Sequence, residues 1–475
     1  MDRPLYLVVA LAYLGALLLL GLSKARSVKT QEDFSVAGRK LSGFVVFGTL
    51  LATWVGTGSL FGNAEETVRI GVTAFVLPVG GVLAVAALAF LAARVRRFSG
   101  LTVLDILEAR YGPASRSIGA LTLVVSCVVI VSYQYRAAGA VIAAITPETI
   151  GPAEGTAIAA AFIIAYTALA GLFSVAYTDV ANGVVMIAGL AVAAVALHSE
   201  AGGFAGARTL LPPERFAWRY SSNDLLGALV PAFLLLLGDP NMYQRFFSAR
   251  SARAATAATI ALVAALAVVE SLIVFVAFFG SALAPARGGL ENPAHVIVFA
   301  AFHELPPAAG AILLAAILAV IVSTADSYLL VVATAAVRDV WRRLLPARGG
   351  PASFVRDGRI AVVLLGVLAY GQSLLSDDYF GIARYAYSVY GCGVTPALLA
   401  AFFWRRATAR GGLASVATGT AVAVAWRALS LDAATGVHGA LVGFPAAVGA
   451  LVLVSLAGPP PPESAWRPFA SRAEG

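Results

Sequence analysis

Charge is scarce in this sequence. Asp, Glu, Lys and Arg together supply only 12% of 475 residues, while 60% are hydrophobic. Soluble domains carry about 25% charged and 45–50% apolar residues, so a water-soluble enzyme is excluded. Cysteine is equally rare. Cys127 and Cys392 both lie inside apolar runs, leaving no disulfide framework to staple a small secreted domain. The four histidines (His198, His295, His303 and His438) are scattered without metal-ligand spacing and read as loop or helix-end residues. Glycine is plentiful, yet neither the P-loop nor the dinucleotide fingerprint occurs. No basic tail or Lys-rich patch accompanies the net charge of +8, so nucleic acid is not an expected partner. No nucleophile–base pair points to an enzyme.

What the sequence does have is apolar runs, and a bilayer-spanning helix needs about 20 such residues. They fall near 4–22, 43–70, 74–93, 116–145, 156–172, 178–198, 223–240, 254–281, 307–336, 359–376, 380–404, 410–430 and 436–457. The expectation is an all-α integral membrane protein with about 13 transmembrane helices, multi-pass in the cell (plasma or inner) membrane. The first run follows Asp2 and Arg3 and precedes Lys24, Arg26 and Lys29, the reverse of a signal peptide's charge order. It reads as a retained helix, with the N-terminus outside and the C-terminus cytoplasmic. With thirteen spans, 24 of the 33 Lys and Arg fall in the cytoplasmic links and tail, seven fall outside, and Arg136 and Arg384 fall within spans. That asymmetry obeys the positive-inside rule, and one span more or fewer would invert it downstream.

Three spans have unusual centres. The second contains Ala52-Thr53-Trp54-Val55-Gly56-Thr57-Gly58, a poor continuous helix because each Gly costs about 1 kcal/mol relative to Ala. The seventh carries Pro231, where a ladder bond is lost. These two spans open two five-helix blocks, the position where inverted-repeat transporters break their helices; each feature alone also suits close packing or a simple kink. The ninth span centres on Val320-Ile321-Val322-Ser323-Thr324-Ala325-Asp326-Ser327. Ser323, Thr324 and Ser327 share roughly one helix face. Sodium, a hard cation, takes oxygen ligands, and carbonyls freed at a broken helix plus these hydroxyls would supply them. Otherwise the hydroxyls bond back to the preceding turn.

At these residues the sequence resembles the sodium:solute symporter family, whose fold is a LeuT-like 5+5 inverted repeat with one extra N-terminal and two extra C-terminal helices. The likeness runs through Asp33-Phe34-Ser35-Val36-Ala37-Gly38-Arg39, Leu169-Ala170-Gly171-Leu172, Tyr177-Thr178-Asp179-Val180 and Gly238-Asp239 with Gln244-Arg245-Phe246. It continues through Ser323-Thr324-Ala325-Asp326-Ser327 and Tyr390-Gly391, then Thr395-Pro396, to Phe403-Trp404-Arg405-Arg406. It implies a leading helix and cytoplasmic link over 1–42, a first repeat over 43–198 and an extracellular loop over 199–222. A second repeat over 223–404, two C-terminal helices over 405–457 and a Pro-rich cytoplasmic tail over 458–475 follow. It also implies a sodium site from the carbonyls of Ala52, Val55 and Val320 with the hydroxyls of Ser323 and Thr324. Asp179 and Ser327, with Ser323 shared, match a second sodium site present in some members. Asp326 stands where many members have another residue. The alternative for Asp179 is a solvated cap at the cytoplasmic end.

Arg136 lies within the fourth span, which in the family borders the central cavity. An Arg in a span faces a cavity or a partner, so it is assigned to a substrate carboxylate, against an internal pair with Glu65, Glu66 or Glu270, or snorkelling outward. Gly56, Thr57 and Ser59 are candidates for a half-helix end facing the solute. Tyr133, Tyr135, Tyr385 and Tyr387 either line the cavity or pack. Glu270 has no family counterpart, and a proton site, a partner for Arg136 or Arg384, and a wet vestibule all remain open for it. The resemblance thus implies sodium-coupled symport of a small organic solute, preferably carboxylate-bearing, into the cell by alternating access, with no obligatory protein partner evident. A proton-coupled carrier using Asp179, Asp326 or Glu270 is the rival. A transporter-like sensor is the other, although only 19 residues follow Leu456 and they include Gly458-Pro459-Pro460-Pro461-Pro462.

Overall fold

A computed structural model describes residues 3–25, 30–146, 149–342, 351–375 and 378–470. Arg26, Lys29, Arg343, Arg348 and Arg472 of the charge count lie outside the described residues. Every regular element among the described residues is helical, apart from an isolated bridge between Leu41 and Ala249.

The chain begins with α1 (Arg3–Ala25) and then α2 (Gly43–Trp54), which Ser42 caps by accepting from the Val45 amide at 3.3 Å. After an interruption come α3 (Ala64–Ile70), α4 (Pro78–Arg97), the short α5 (Val103–Tyr111) and α6 (Pro113–Ile145). Residues Pro152–Glu200 supply two spans, α7 (Pro152–Leu169) and α8 (Val175–Glu200). The Tyr166 hydroxyl meets the Thr178 hydroxyl at 2.9 Å, whereas twelve residues of straight helix would separate them by about 18 Å. The chain therefore folds back between the two. The second half supplies α9 (Ser222–Gly238), α10 (Pro240–Ser248), α11 (Ala252–Leu283), α12 (Pro307–Ala335), α13 (Pro351–Ser373), α14 (Tyr379–Gly393) and α15 (Thr395–Phe403). Two last long helices, α16 (Ala409–Ala428) and α17 (Gly439–Ala457), pack on one another.

Nine helices among the described residues are long and apolar enough to cross a membrane, and the bent pair Gly43–Trp54 with Gly58–Val76 makes a tenth. The three other expected spans coincide with α1, α13 and α16, so about thirteen is compatible with the structure. At the centre stands α12, buried along most of its length against α1, α6, α8 and α13. A helix apolar all round belongs in such an interior. Elsewhere small residues set the spacing. A Cβ on Gly155 would lie 2.6 Å from the Gly139 carbonyl oxygen, so α6 and α7 touch backbone to backbone.

The second span breaks where Gly56 and Gly58 suggest, and its halves bend by 49°. The seventh does not break at Pro231, which sits inside a continuous α9. Helix ends instead at Gly238, and α10 starts afresh with Asp239 accepting from the amides of Asn241 (2.7 Å) and Met242 (3.0 Å). A proline in a packed span costs one ladder bond, which neighbouring helices absorb. A capping Asp followed by Pro at the first helical position starts a new helix.

Candidate functional site

The interruption of the second span leaves backbone acceptors without their helical donors. The amide of Ser59, which an unbroken helix would direct to Val55, bonds the Gly56 carbonyl at 3.0 Å. The carbonyls of Ala52 and Val55 are taken up from α12. The Ser323 hydroxyl donates to Ala52 at 3.1 Å, and the Thr324 hydroxyl donates to Val55 at 3.1 Å and approaches Ala52 at 3.5 Å. All four residues are buried, as is Val320 one turn earlier on α12. Gly56 permits this closeness, because a Cβ there would sit 2.9 Å from Thr324 Cγ2. Two carbonyls and two hydroxyls thus face each other in the buried interior, a donor set suited to a hard monovalent cation.

Asp179 on α8 joins the same group. It accepts from Ser323 at 2.5 Å and from the Thr49 hydroxyl, and it is completely buried, so it is no solvated cap. Its counter-ion is Arg245 on α10, with Nη2 3.5 Å from the carboxylate. The same guanidinium donates to Ser327 (2.6 Å), Thr49 (3.2 Å), Asn241 (2.9 Å) and Gln244 (3.3 Å). Arg245 entered the sequence reading within the Gln244-Arg245-Phe246 motif, with no role at the site. The signal was Asp239-Pro240, which opens a further helix and carries Arg245 into the interior. Ser327 also lies 3.3 Å from the Thr53 hydroxyl. Asp326 is 1% exposed and lies beside Ser327.

A cavity opens beside this group. Trp54, Gly58 and Ser59 of the broken span line it, with Glu270 from α11 and Phe380, Arg384 and Tyr387 from α14. Ser59 donates to Glu270 at 2.6 Å and Asn63 donates at 3.2 Å. The Tyr133 and Tyr387 hydroxyls stand 3.4 Å apart. Gln134 Oε1 accepts from the Thr57 amide at 3.2 Å and from the Thr57 hydroxyl, so that amide is not free for a ligand. Arg136 is elsewhere. It donates to the Ser373 carbonyl at 3.0 Å and lines a separate recess with Thr156, Asn292, His295 and Tyr379. Glu66 pairs with Arg69 (3.1 Å) and accepts from Tyr220 (2.9 Å). The structure therefore brings Ala52, Val55, Gly56, Ser323, Thr324, Asp179 and Ser327 into one cluster. Ser59 lies on the adjoining cavity, with Tyr133 at its edge. Arg136 stands apart.

The profile of the Sodium:solute symporter family matches residues 34–419. The chain belongs to that family. Two curated relatives resemble this symporter over nearly their whole lengths. The osmoregulated proline transporter OpuE of Bacillus subtilis is 24% identical, with 96% of each chain covered. The sodium/proline symporter of Escherichia coli is 26% identical over 98% of this chain and 95% of its own. Among solved structures, a substrate-bound, outward-open sodium-coupled sialic acid symporter superposes with a TM-score of 0.80 at 17% identity, covering 96% of this chain and 98% of that one. A nucleobase-cation-symport-1 family transporter, Mhp1, gives 0.61 at 13% identity, over 92% and 97%. The fold is the LeuT-like one. The protein is a sodium-coupled membrane transporter for a small solute and not an enzyme.

Proposed function

We propose that this symporter carries a small carboxylate-bearing solute into the cell with sodium, by alternating access. The observation that carries the reading is the meeting of Ser323 and Thr324 with the carbonyls of Ala52 and Val55 across the broken span. A sodium ion entering there would take oxygens from both α2 and α12, with Val320 one turn away, and so favour the conformation in which the two lie together. The solute cavity begins at Trp54, Gly58 and Ser59 on the same broken span. One segment therefore feels both ligands, and each raises the affinity for the other by the same factor. Release inside is driven by the low internal sodium and by about 2.3 kcal/mol per charge per 100 mV of membrane potential.

A second sodium at Asp179 and Ser327 has a charge argument behind it. Asp179, Asp239 and Asp326 are all buried, and Arg245 lies within electrostatic reach of the three. Three carboxylates facing one guanidinium carry more negative charge than Arg245 offsets when ionised, and a monovalent cation would neutralise part of the excess. For the solute, the curated relatives are proline transporters by name, and Arg384 rather than Arg136 is the cavity guanidinium able to take a carboxylate.

The test is thermal stability of the purified protein with a series of carboxylates and sugars, each in sodium and in choline. Stabilisation by a carboxylate in sodium alone is expected, because ligands of the native state raise its stability by mass action. A response to pH without a response to sodium would replace this reading with proton coupling.

A further inference from the structure

Glu270 is the one feature of the cavity that neither sodium coupling nor a carboxylate-bearing solute explains. It projects from the middle of α11, is 3% exposed, and forms no ion pair among the described residues. Ser59 and Asn63 donate one hydrogen bond to each of its oxygens, and the Trp54 indole N–H serves the same carboxylate, which leaves room on it for one further donor. An ionisable group inside a membrane span normally faces a cavity or a partner. Here the cavity wall beside it is aromatic, with the rings of Trp54 and Tyr387 6.1 Å apart. A carboxylate set among aromatic faces is the recognition chemistry of an ammonium group. Farther along the same wall Arg384 stacks on Phe380, 4.9 Å from the ring centroid, and its buried Nε has no hydrogen-bond partner among the described residues. Glu270 and Arg384 line one cavity without neutralising each other.

We propose that Glu270 is the specificity residue for a protonated amine, so that the solute is zwitterionic, its ammonium held by Glu270 and the Trp54–Tyr387 wall and its carboxylate by Arg384. This rests on the solute cavity of the preceding section and adds what fills its acidic end. Amine-free carboxylic acids would leave Glu270 buried and uncompensated, a penalty that a site built for the donor imposes on its deleted analogue.

The experiment compares L-proline, its N,N-dimethyl derivative (which keeps the positive charge) and tetrahydrofuran-2-carboxylate (which has none) as ligands of the full-length protein at saturating sodium. Affinities are read by thermal shift and by displacement of radiolabelled proline. Wild type should prefer L-proline over the oxygen analogue by about a hundredfold, with the N,N-dimethyl derivative, which has no N–H to donate, in between. In Glu270→Gln the proline-to-oxygen-analogue ratio should fall to within about threefold. The ratio divides out any loss of folding or of sodium binding common to all probes. Should Glu270→Gln not fold, the wild-type preference decides alone. Equal affinity of wild type for proline and the oxygen analogue overturns the proposal, and so does a ratio unchanged in Glu270→Gln. Repeating the series in choline keeps the two readings apart. Amine selectivity without sodium dependence would sink the symport reading and leave the role of Glu270 standing. Sodium dependence without amine selectivity would do the reverse.

Discussion

The guanidinium of Arg245 is wholly enclosed and serves Asp179, Ser327, Thr49, Asn241 and Gln244 at once. Removing one member of a buried pair leaves the other charged and unsolvated, a loss of about 3–5 kcal/mol. Arg245→Ala should therefore lower the thermal midpoint sharply. Arg245→Lys should recover only part of it, since an ammonium cannot span those acceptors as a planar fork does. Full recovery by Lys would mean that charge alone matters here. Ser323 and Thr324 lead to a different expectation. They donate to the freed carbonyls rather than to solute, so Ser323→Ala with Thr324→Ala should raise the sodium concentration for half-maximal uptake at least tenfold, by analogy with lost ligand hydrogen bonds, while the solute half-saturation at saturating sodium moves far less. Uptake by the double variant with unchanged sodium dependence would remove both residues from the ion site. Ser323 and Thr324 were legible in the sequence because hydroxyls side by side in an otherwise apolar span stand out. Arg245 was not, because nothing local distinguishes an arginine in a link from one a turn further on that the fold closes over.

Helix breaks were half legible. Gly56 and Gly58 identified the first correctly, since paired glycines lower helical stability wherever they stand. Pro231 misplaced the second, because proline's local effect is strong while its cost in a packed span is spread over neighbours; the true break lies where Asp239 and Pro240 restart the chain. Close fit at the first break makes Gly56 testable. A methyl there would press on Thr324 and on Gln134 Nε2, which stands 3.1 Å away. Gly56→Ala should therefore part α2 from α12 and weaken sodium dependence without touching solute directly; unaltered sodium kinetics would show that the break has slack. At the start of α17, His438 caps the helix, its Nδ1 accepting from the Ala440 amide at 3.3 Å. Burial first, then the Arg384 charge, push its pKa down from 6.5 to about 4. The folded state thus disfavours the proton. The stability of this cap is fully present above pH 6.5 and is lost as pH falls through 4. His438→Asn keeps a capping oxygen, so its thermal midpoint should fall less than that of wild type between pH 7 and pH 4.5. Parallel curves for the two proteins would exclude His438 as the titrating group.

Across the whole molecule, basic residues gather in alternate links, and that distribution gives the orientation its physical basis. In the arrangement proposed above sodium and solute both meet one broken span, and the orientation decides which end of that span faces each side of the membrane. An N-terminus outside puts the link carrying Arg208 on the external face and the start of α11, with Arg253, on the cytoplasmic face. Both side chains are exposed, and Cys127 and Cys392 are buried, so the natural thiols should give little background. Arg208→Cys should react with a membrane-impermeant maleimide in intact cells, whereas Arg253→Cys should react only after permeabilisation. The reverse pattern would turn the protein over in the bilayer. Sodium would still run down its electrochemical gradient into the cell, because a carrier's orientation leaves the driving force unchanged; only the end of the broken span that first receives sodium and solute would differ. The labelling result therefore decides the topology, while the direction of transport follows the sodium gradient in either orientation.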